Sequence, residues 1–234
     1  MITDIHMHII PDVDDGSKDI EMSLEMLRMA YQQGVRNIFC TSHSGYDTEK
    51  YKSAFDKLKT MAKTEYPDIN LYTGCEVLCA EYDMSEIIKE LSNGDVLPLA
   101  DTKYVLTELY TDTTPCEAET VISALIENGW KPVLAHVERY PALFDDNTIG
   151  RLVSMGAKIQ VNAYSLEEEN NPDIKSRARY LVNSRYAAFI GSDAHRSNHR
   201  PPVYESGVKY IFDNCDKEYA EAITYKNGLD LIGG

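Results

Sequence analysis

The chain lacks any apolar run approaching the roughly 18–20 residues that span a bilayer, and no leader fits ahead of Asp4. Both absences predict a cytoplasmic chain with no membrane insertion. Basic residues are scarce, 23 Lys and Arg against 38 Asp and Glu, a formal charge of −15. A phosphate-backbone binder needs a cationic footprint, so the charge argues against nucleic acid as a partner. Neither GxxxxGK[ST] nor GxGxxG occurs, and nothing else in the sequence suggests a nucleotide cradle. The five cysteines, Cys40, Cys75, Cys79, Cys116 and Cys215, are odd in number, scattered and without a CxxC pair. They read as reduced, mostly buried apolar residues, not a disulfide framework. No linker or low-complexity segment interrupts the chain, so residues 1–234 are expected to form a single domain.

What is present is an ordinary globular balance, 43% hydrophobic and 26% charged, with a repeating refrain. An amphipathic helix, a glycine, a few polar residues and a short apolar run recur in "LRMAYQQGVRNIFCTSH", "ISALIENGWKPVLAH" and "IGRLVSMGAKIQVN". Gly34, Gly129 and Gly156 stand where helix C-termini adopt a left-handed backbone. Upstream, Ser17 is placed to cap a helix with Ile20, Leu24, Leu27 and Tyr31 along one face. With "ITDIHMH", "NLYTGCEVLC", "KYVLTEL" and "YAAFIGSDAH" the chain offers about seven strands separated by helices. That alternation predicts parallel strands, in a closed barrel or an open doubly wound sheet.

In each candidate strand the chemically capable residues fall at the end: His6 and His8, His43, Glu76, Glu108, His136, then Asp193 and His195. Strand alternation puts His6 and His8 on one face, and likewise Asp193 and His195. A parallel barrel opens its site at the C-terminal strand ends, so five of the six histidines would converge on one mouth. Imidazoles and carboxylates gathered without thiolates predict a site for divalent transition metals.

"DIHMH", the histidine of "TSH", "GCE", "LAHVER" and "GSDAH" resemble, in order, the motifs of the polymerase-and-histidinol-phosphatase (PHP) domain. That resemblance covers essentially the whole chain and implies an α/β fold, a distorted TIM-like (β/α)7 barrel. "HIIPDVDDGS", "HVERY" and "GSDAH" look more narrowly like the manganese-dependent protein-tyrosine phosphatases of bacterial capsule and exopolysaccharide loci. The family pattern implies three ions, with His6, His8, Glu76 and Asp193 holding the first. Glu76 would bridge to a second ion with Glu108 and His136. His43 and His195 would hold the third with an acid of the "DVDDG" loop, Asp14 being the choice and Asp15 the alternative. Hard oxygen donors suit Mn²⁺ or Mg²⁺ better than Zn²⁺, with iron a further possible occupant.

The implied reaction is phosphomonoester hydrolysis by attack of a metal-bridging hydroxide. Arg139 and Arg200, with Arg196 in reserve, would bind the phosphate in bidentate fashion. If the leaving group needs a proton, His43 or His195 would supply it. A thiol-based mechanism is closed, because the sixth residue after each cysteine is Tyr46, Glu81, Ser85, Ile122 or Glu221, never arginine. The implied partner is a phosphotyrosine-bearing protein, an autophosphorylating tyrosine kinase met at the inner face of the membrane. Alternatives on the same scaffold are a small-molecule phosphatase of the histidinol-phosphate type and, further off, a PHP nuclease. Tyr46, Tyr140 and Tyr164 are candidates to stack on a phenyl ring. The acidic run "LEEENNPD" reads as a solvated loop and helix start, and His199 as an exposed residue rather than a ligand.

Overall fold

The computed structural model describes residues 1–233 apart from Glu168 and Asn170. Those two residues, part of the acidic run, lie outside the described residues. Seven strands form one sheet in sequence order: β1 (Ile2–Met7), β2 (Val35–His43), β3 (Asn70–Leu78), β4 (Tyr104–Glu108), β5 (Lys131–Leu134), β6 (Lys158–Asn162) and β7 (Ala187–Gly191). Every neighbouring pair is parallel. Just beyond its end β7 returns to β1: His8 N–H donates to the Ala194 carbonyl (2.9 Å) and Asp193 N–H to that of His6 (2.8 Å). Met7 and Ala194 form a parallel bridge there, so the barrel is nearly closed. The expected seven-unit barrel is the observed one, and the open-sheet alternative falls away.

Helices cover the outside, among them α1 (Ile20–Gln32), α2 (Thr48–Glu65), α3 (Met84–Asn93), α4 (Pro115–Glu127), α5 (Thr148–Met155) and α6 (Pro172–Asn183). After β7 come α7 (Glu205–Asn214), α8 (Lys217–Glu221), a π-helical turn (Ala222–Lys226) and α9 (Asn227–Gly233). Most buried apolar residues lie between this shell and the sheet. A smaller cluster joins Ile5, Phe39, Leu106, Val133 and Phe189 from five strands with Leu99 and Leu231. Only the interior brings side chains from around the circle together, so this cluster packs the barrel's inside.

The helix punctuation is local chemistry. Gly34, Gly129 and Gly156 follow helices with φ of 90°, 81° and 117°, the left-handed geometry expected of them. Thr114 and Glu117 form a reciprocal capping box around Pro115 at the start of α4. The cap of α1 differs from expectation. Asp19, not Ser17, accepts the Met22 N–H (2.8 Å), while the Ser17 hydroxyl donates to the Asp19 carbonyl (2.9 Å). The buried face is also rotated to Ser23, Met26, Leu27 and Ala30, leaving Ile20, Leu24 and Tyr31 only partly buried. Ser23 lies inward because its hydroxyl donates to the Ile9 carbonyl (2.7 Å). All five cysteines are free, with Cys40, Cys75 and Cys79 buried, Cys215 partly so and Cys116 exposed.

Candidate metal centre

The C-terminal end of the barrel gathers donors from six of its seven strands. His6, His43, Glu76 and Glu108 lie within β1 to β4, and His8 follows β1 directly. His136 stands two residues past β5, and Asp193 and His195 stand two and four past β7, beyond the strand ends where the sequence put them. The backbone turns at two of these: φ is 32° at His136 and 52° at Asp193, a left-handed region uncommon for non-glycine residues. Ring centroids lie 5.5 Å apart for His6 and His136, 4.6 Å for His8 and His43, and 3.9 Å for His8 and His195.

Three donor clusters result. In the first, His6 Nε2 and His8 Nε2 are 3.1 Å apart and 3.2 and 3.1 Å from Glu76 Oε2. Asp193 Oδ1 closes it at 3.5 and 3.6 Å from the same nitrogens. Donors about 2.1 Å from one ion sit ~3.0–3.4 Å from each other, so this is ligand spacing. The second cluster joins His43 Nδ1 with Glu76 Oε2 (3.2 Å) and Glu108 Oε2 (3.7 Å). His136 Nε2 approaches the other oxygens of the same two carboxylates, 2.9 Å from Glu76 Oε1 and 3.7 Å from Glu108 Oε1. In the third, Asp15 Oδ1 faces His195 Nε2 at 3.5 Å and His43 Nε2 at 3.7 Å, with His8 adjacent. Glu76 belongs to two clusters.

The hydrogen bonds behind the rings show that these residues fit metal ions. His6 Nδ1 faces Gln160 Oε1 (3.2 Å), His8 Nδ1 faces Asp14 Oδ2 (2.7 Å), and His195 Nδ1 faces the Asp193 carbonyl (3.0 Å). Each partner can only accept, so each Nδ1 carries the proton and each Nε2 presents a lone pair to the centre. Two buried imidazole nitrogens 3.1 Å apart need either a proton or a cation between them, and the protons already held on Nδ1 leave both Nε2 atoms free to take a cation. The absence of thiolates suits hard or borderline divalent ions.

Asp14 is not placed as the third cluster's acid. Its Oδ2 accepts from His8 Nδ1 and from the His43 backbone N–H (3.0 Å), and its Oδ1 from the Gly16 N–H (3.0 Å). Both oxygens are thus committed behind the centre, and Asp15 takes the facing position. The reserve arginine is committed too: Arg196 donates to the carbonyls of Gly16 (3.2 Å) and Asp15 (2.8 Å), pinning that loop. Arg139 Nη2 reaches Tyr164 Oη (2.7 Å) and Asp193 Oδ2 (2.8 Å). Arg200 Nη2 meets Asp193 Oδ2 (2.5 Å), with its Nη1 3.2 Å from His195 Nε2. Of the three tyrosines, Tyr140 is buried behind His136, its hydroxyl 3.2 Å from Nδ1, and so cannot stack on a substrate. Tyr46 stacks on Tyr51, and Tyr164 holds Arg139. His199 is exposed, as expected.

The comparisons agree with this geometry. A family model described as capsular polysaccharide synthesis, CpsB/CapC, matches residues 2–233. The chain belongs to the CpsB/CapC family. It is 31% identical to the tyrosine-protein phosphatase CpsB of Streptococcus agalactiae serotype V, over 98% of this chain and 97% of that one. With the tyrosine-protein phosphatase YwqE of Bacillus subtilis it shares 33% identity, over 95% and 87%. Among solved structures it superimposes with a TM-score of 0.86 and 29% identity on a chain from the crystal structures of YwqE from Bacillus subtilis and CpsB from Streptococcus pneumoniae, described as unique metal-dependent tyrosine phosphatases. That match covers 99% of this chain and 94% of the other.

In this CpsB/CapC chain the first cluster is sealed while the others open outward. His6, His8, Glu76 and Asp193 are at most 1% exposed, whereas the side chains of Glu108, His43 and Asp15 are 22%, 37% and 64% exposed. A cleft of about 740 Å³ at the opposite end, lined by Tyr104, Lys131 and Leu231 among others, contains none of the three clusters. Burial alone would lower the His8 pKa, but its hydrogen bonds to Asp14 and Glu76 outweigh it and push it up to about 10. Burial would raise Asp14, yet His8 and the backbone donors bring it down to about 2. His195 is pushed down to about 3 by burial, then by His8 and Arg200.

These shifts set a sign for stability in the metal-stripped CpsB/CapC protein. Asp14, lowered in the native state to about 2, stabilises fully above an unfolded pKa of ~4 and loses that as pH falls. His8, raised to about 10, stabilises fully below an unfolded pKa of ~6.5 and loses that as pH rises. Together they stabilise the stripped protein most between about pH 4 and 6.5. Its melting temperature should fall between about pH 6.5 and 9 in chelator, whereas with Mn²⁺ it should rise over about pH 5–8, as ions displace protons. Thermal melts across pH check this, and a chelated protein with no decline above pH 6.5 would contradict a protonated His8.

Two parts of the site escaped the sequence reading, Tyr140 as the support of His136 and the buried amides of Gln160 and Asn162, while Asp15 stood there only as the alternative to Asp14. The signal for the amides was present, two polar residues ending the apolar run "KIQVN" as histidines and acids end the others.

Proposed function

We propose that this chain is a metal-dependent phosphatase that hydrolyses phosphotyrosine on a protein partner. The observation that carries it is a set of three donor clusters at the open end of the barrel, two joined through Glu76 and the third reached through His8 and His43, with two arginines on Asp193 beside them. His6, His8, Glu76 and Asp193 would hold one ion, and Glu76, Glu108 and His136 a second. Asp15, His43 and His195 would hold a third, with Mn²⁺ the occupant that suits this mixture of carboxylates and imidazoles. Divalent ions there supply an activated water at neutral pH and positive charge opposite the phosphoryl oxygens.

The chain's own residues do the rest. Asp193 anchors Arg139 and Arg200 through one oxygen, leaving the remaining N–H groups of each guanidinium fork for a phosphate. A tyrosine leaving group has a pKa near ~10 and departs with little acid assistance. His195, kept deprotonated by burial, His8 and Arg200, suits electron-pair donation and not proton delivery. That leaves His43, partly open to solvent, to pass a proton where one is needed. The partner fitting a capsule-family phosphatase is an autophosphorylating tyrosine kinase that controls polysaccharide synthesis, met in the cytoplasm. Among the described residues no helix is long and apolar enough to cross a membrane.

The test strips the protein with chelator, restores Mn²⁺, Mg²⁺ or Zn²⁺, and compares phosphotyrosine peptide, histidinol phosphate and single-stranded DNA. Fastest turnover of the peptide with Mn²⁺ is expected, and faster turnover of histidinol phosphate would overturn the tyrosine assignment. Arg139→Ala should lower kcat/KM for every phosphoester by about 10²–10³-fold with metal content intact. Unchanged kinetics would reduce Arg139 to a structural partner of Asp193 and Tyr164.

A further inference from the structure

β6 is the one strand that brings no ligand to the centre, yet it lies between β5 and β7, which lead to His136 and Asp193. Its last polar residues, Gln160 and Asn162, share a face and are fully buried. Buried amides are costly unless bonded, and these two are bonded in an unbroken chain. Gln160 Oε1 accepts from the His136 backbone N–H (2.8 Å) and from His6 Nδ1 (3.2 Å). Gln160 Nε2 donates to Asn162 Oδ1 (2.9 Å), and Asn162 Nδ2 donates to Asp193 Oδ2 (3.1 Å). The Asn162 N–H donates to buried Glu138 (3.1 Å).

The direction of this chain is fixed at both ends. A backbone N–H can only donate and the Asp193 carboxylate only accept, so neither amide can be turned over without two donors or two acceptors colliding. We infer that Gln160 and Asn162 are positioning residues for the centre, an inference that rests on the metal reading above. Gln160 forces the proton of His6 onto Nδ1, aiming its Nε2 lone pair inward. It also holds the turn at His136. Asn162, with the two arginines, occupies Asp193 Oδ2 and leaves Oδ1 as the oxygen that faces His6 and His8. Gly191 leaves the room: a Cβ there would sit 2.8 Å from His6 Cβ and 2.9 Å from Gln160 Nε2.

The test is a calorimetric Mn²⁺ titration of the full chain and three variants, with melting curves in chelator. Gln160→Met keeps the volume but removes the acceptor, and should weaken Mn²⁺ binding by about 10–100-fold. Val161→Ala, at a buried position on the other face of β6, should lower the melting temperature without changing Mn²⁺ affinity. Asn162→Asp keeps the acceptor for Gln160 but sets an oxygen against Asp193 Oδ2, and should weaken binding over the same range. If Gln160→Met does not fold, Asn162→Asp alone decides. Wild-type affinity in a folded Gln160→Met or Asn162→Asp, or an equal loss in Val161→Ala, would overturn the positioning role. A wild-type chain that takes up no Mn²⁺ would instead overturn the metal reading itself.

Discussion

Glu76→Gln should reduce phosphotyrosine turnover by at least about 10³-fold and lower the metal content by one or more equivalents per chain. Glu76 is 1% exposed, and its carboxylate lies within 3.2 Å of nitrogens of four histidines, His6, His8, His43 and His136. Among the described residues no other acid spans two clusters. Burial would raise its pKa, yet His6, His136 and His8 hold it well below the usual carboxylate range. The amide keeps the shape and removes the charge, so two donor sets lose their common anion while their imidazoles stay crowded together. Plasma mass spectrometry for metal and peptide turnover for activity check it together. Full metal content with full turnover would remove Glu76 from the centre, whereas Glu76→Asp, one methylene shorter, should retain a partial fraction of each.

The second large effect is expected at Gly16. A Cβ there would lie 2.3 Å from the His8 carbonyl oxygen, 2.6 Å from His8 Cβ and 2.9 Å from Asp14 Oδ1. None of these can retreat cheaply. The His8 carbonyl accepts the Ser17 N–H (3.1 Å), His8 itself faces the centre, and Asp14 holds His8. Gly16→Ala therefore must push the loop of Asp14 and Asp15 outward, breaking the Asp14–His8 bond and removing the acid that faces His43 and His195. Overpacking of this kind costs about 3 kcal/mol, and the third cluster should lose its ion with about a 10²-fold fall in turnover. Gly45→Ala is the contrast: φ is 91° and nothing lies within 4 Å, so only backbone strain of about 1 kcal/mol is at stake. Melting curves and metal analysis separate the two. Equal behaviour of both variants would mean that the loop does not build the site.

The barrel and most of the site were legible in the sequence because each rests on a period. Apolar runs with polar ends at regular intervals specify parallel strands, and the convergence of their ends follows from closure alone. That reasoning reached His6, His8, His43, Glu76, Glu108, His136, Asp193 and His195 without knowledge of any contact. It failed where two neighbours of the same chemistry compete. Asp14 and Asp15 are both acids in one loop, and only the turn back over His8 decides which oxygen faces inward. Ser17 and Asp19 are both good caps two positions apart, and Ser23 took an inward position that hydropathy assigns to Ile20 or Leu24, because of a hydrogen bond to Ile9. Gln160 and Asn162 were passed over because neither titrates nor ligates. Their role lies in the direction of hydrogen bonds, which a sequence does not display.

A crystal grown with Mn²⁺ and measured for anomalous scattering addresses the metal centre most directly. Separate peaks are expected on the two sides of the Glu76 carboxylate, one against His6, His8 and Asp193 and another against Glu108 and His136, with a third beside Asp15, His43 and His195. A lone peak away from Glu76, or none among these side chains, would contradict a Glu76-bridged centre and the hydrolysis attributed to it.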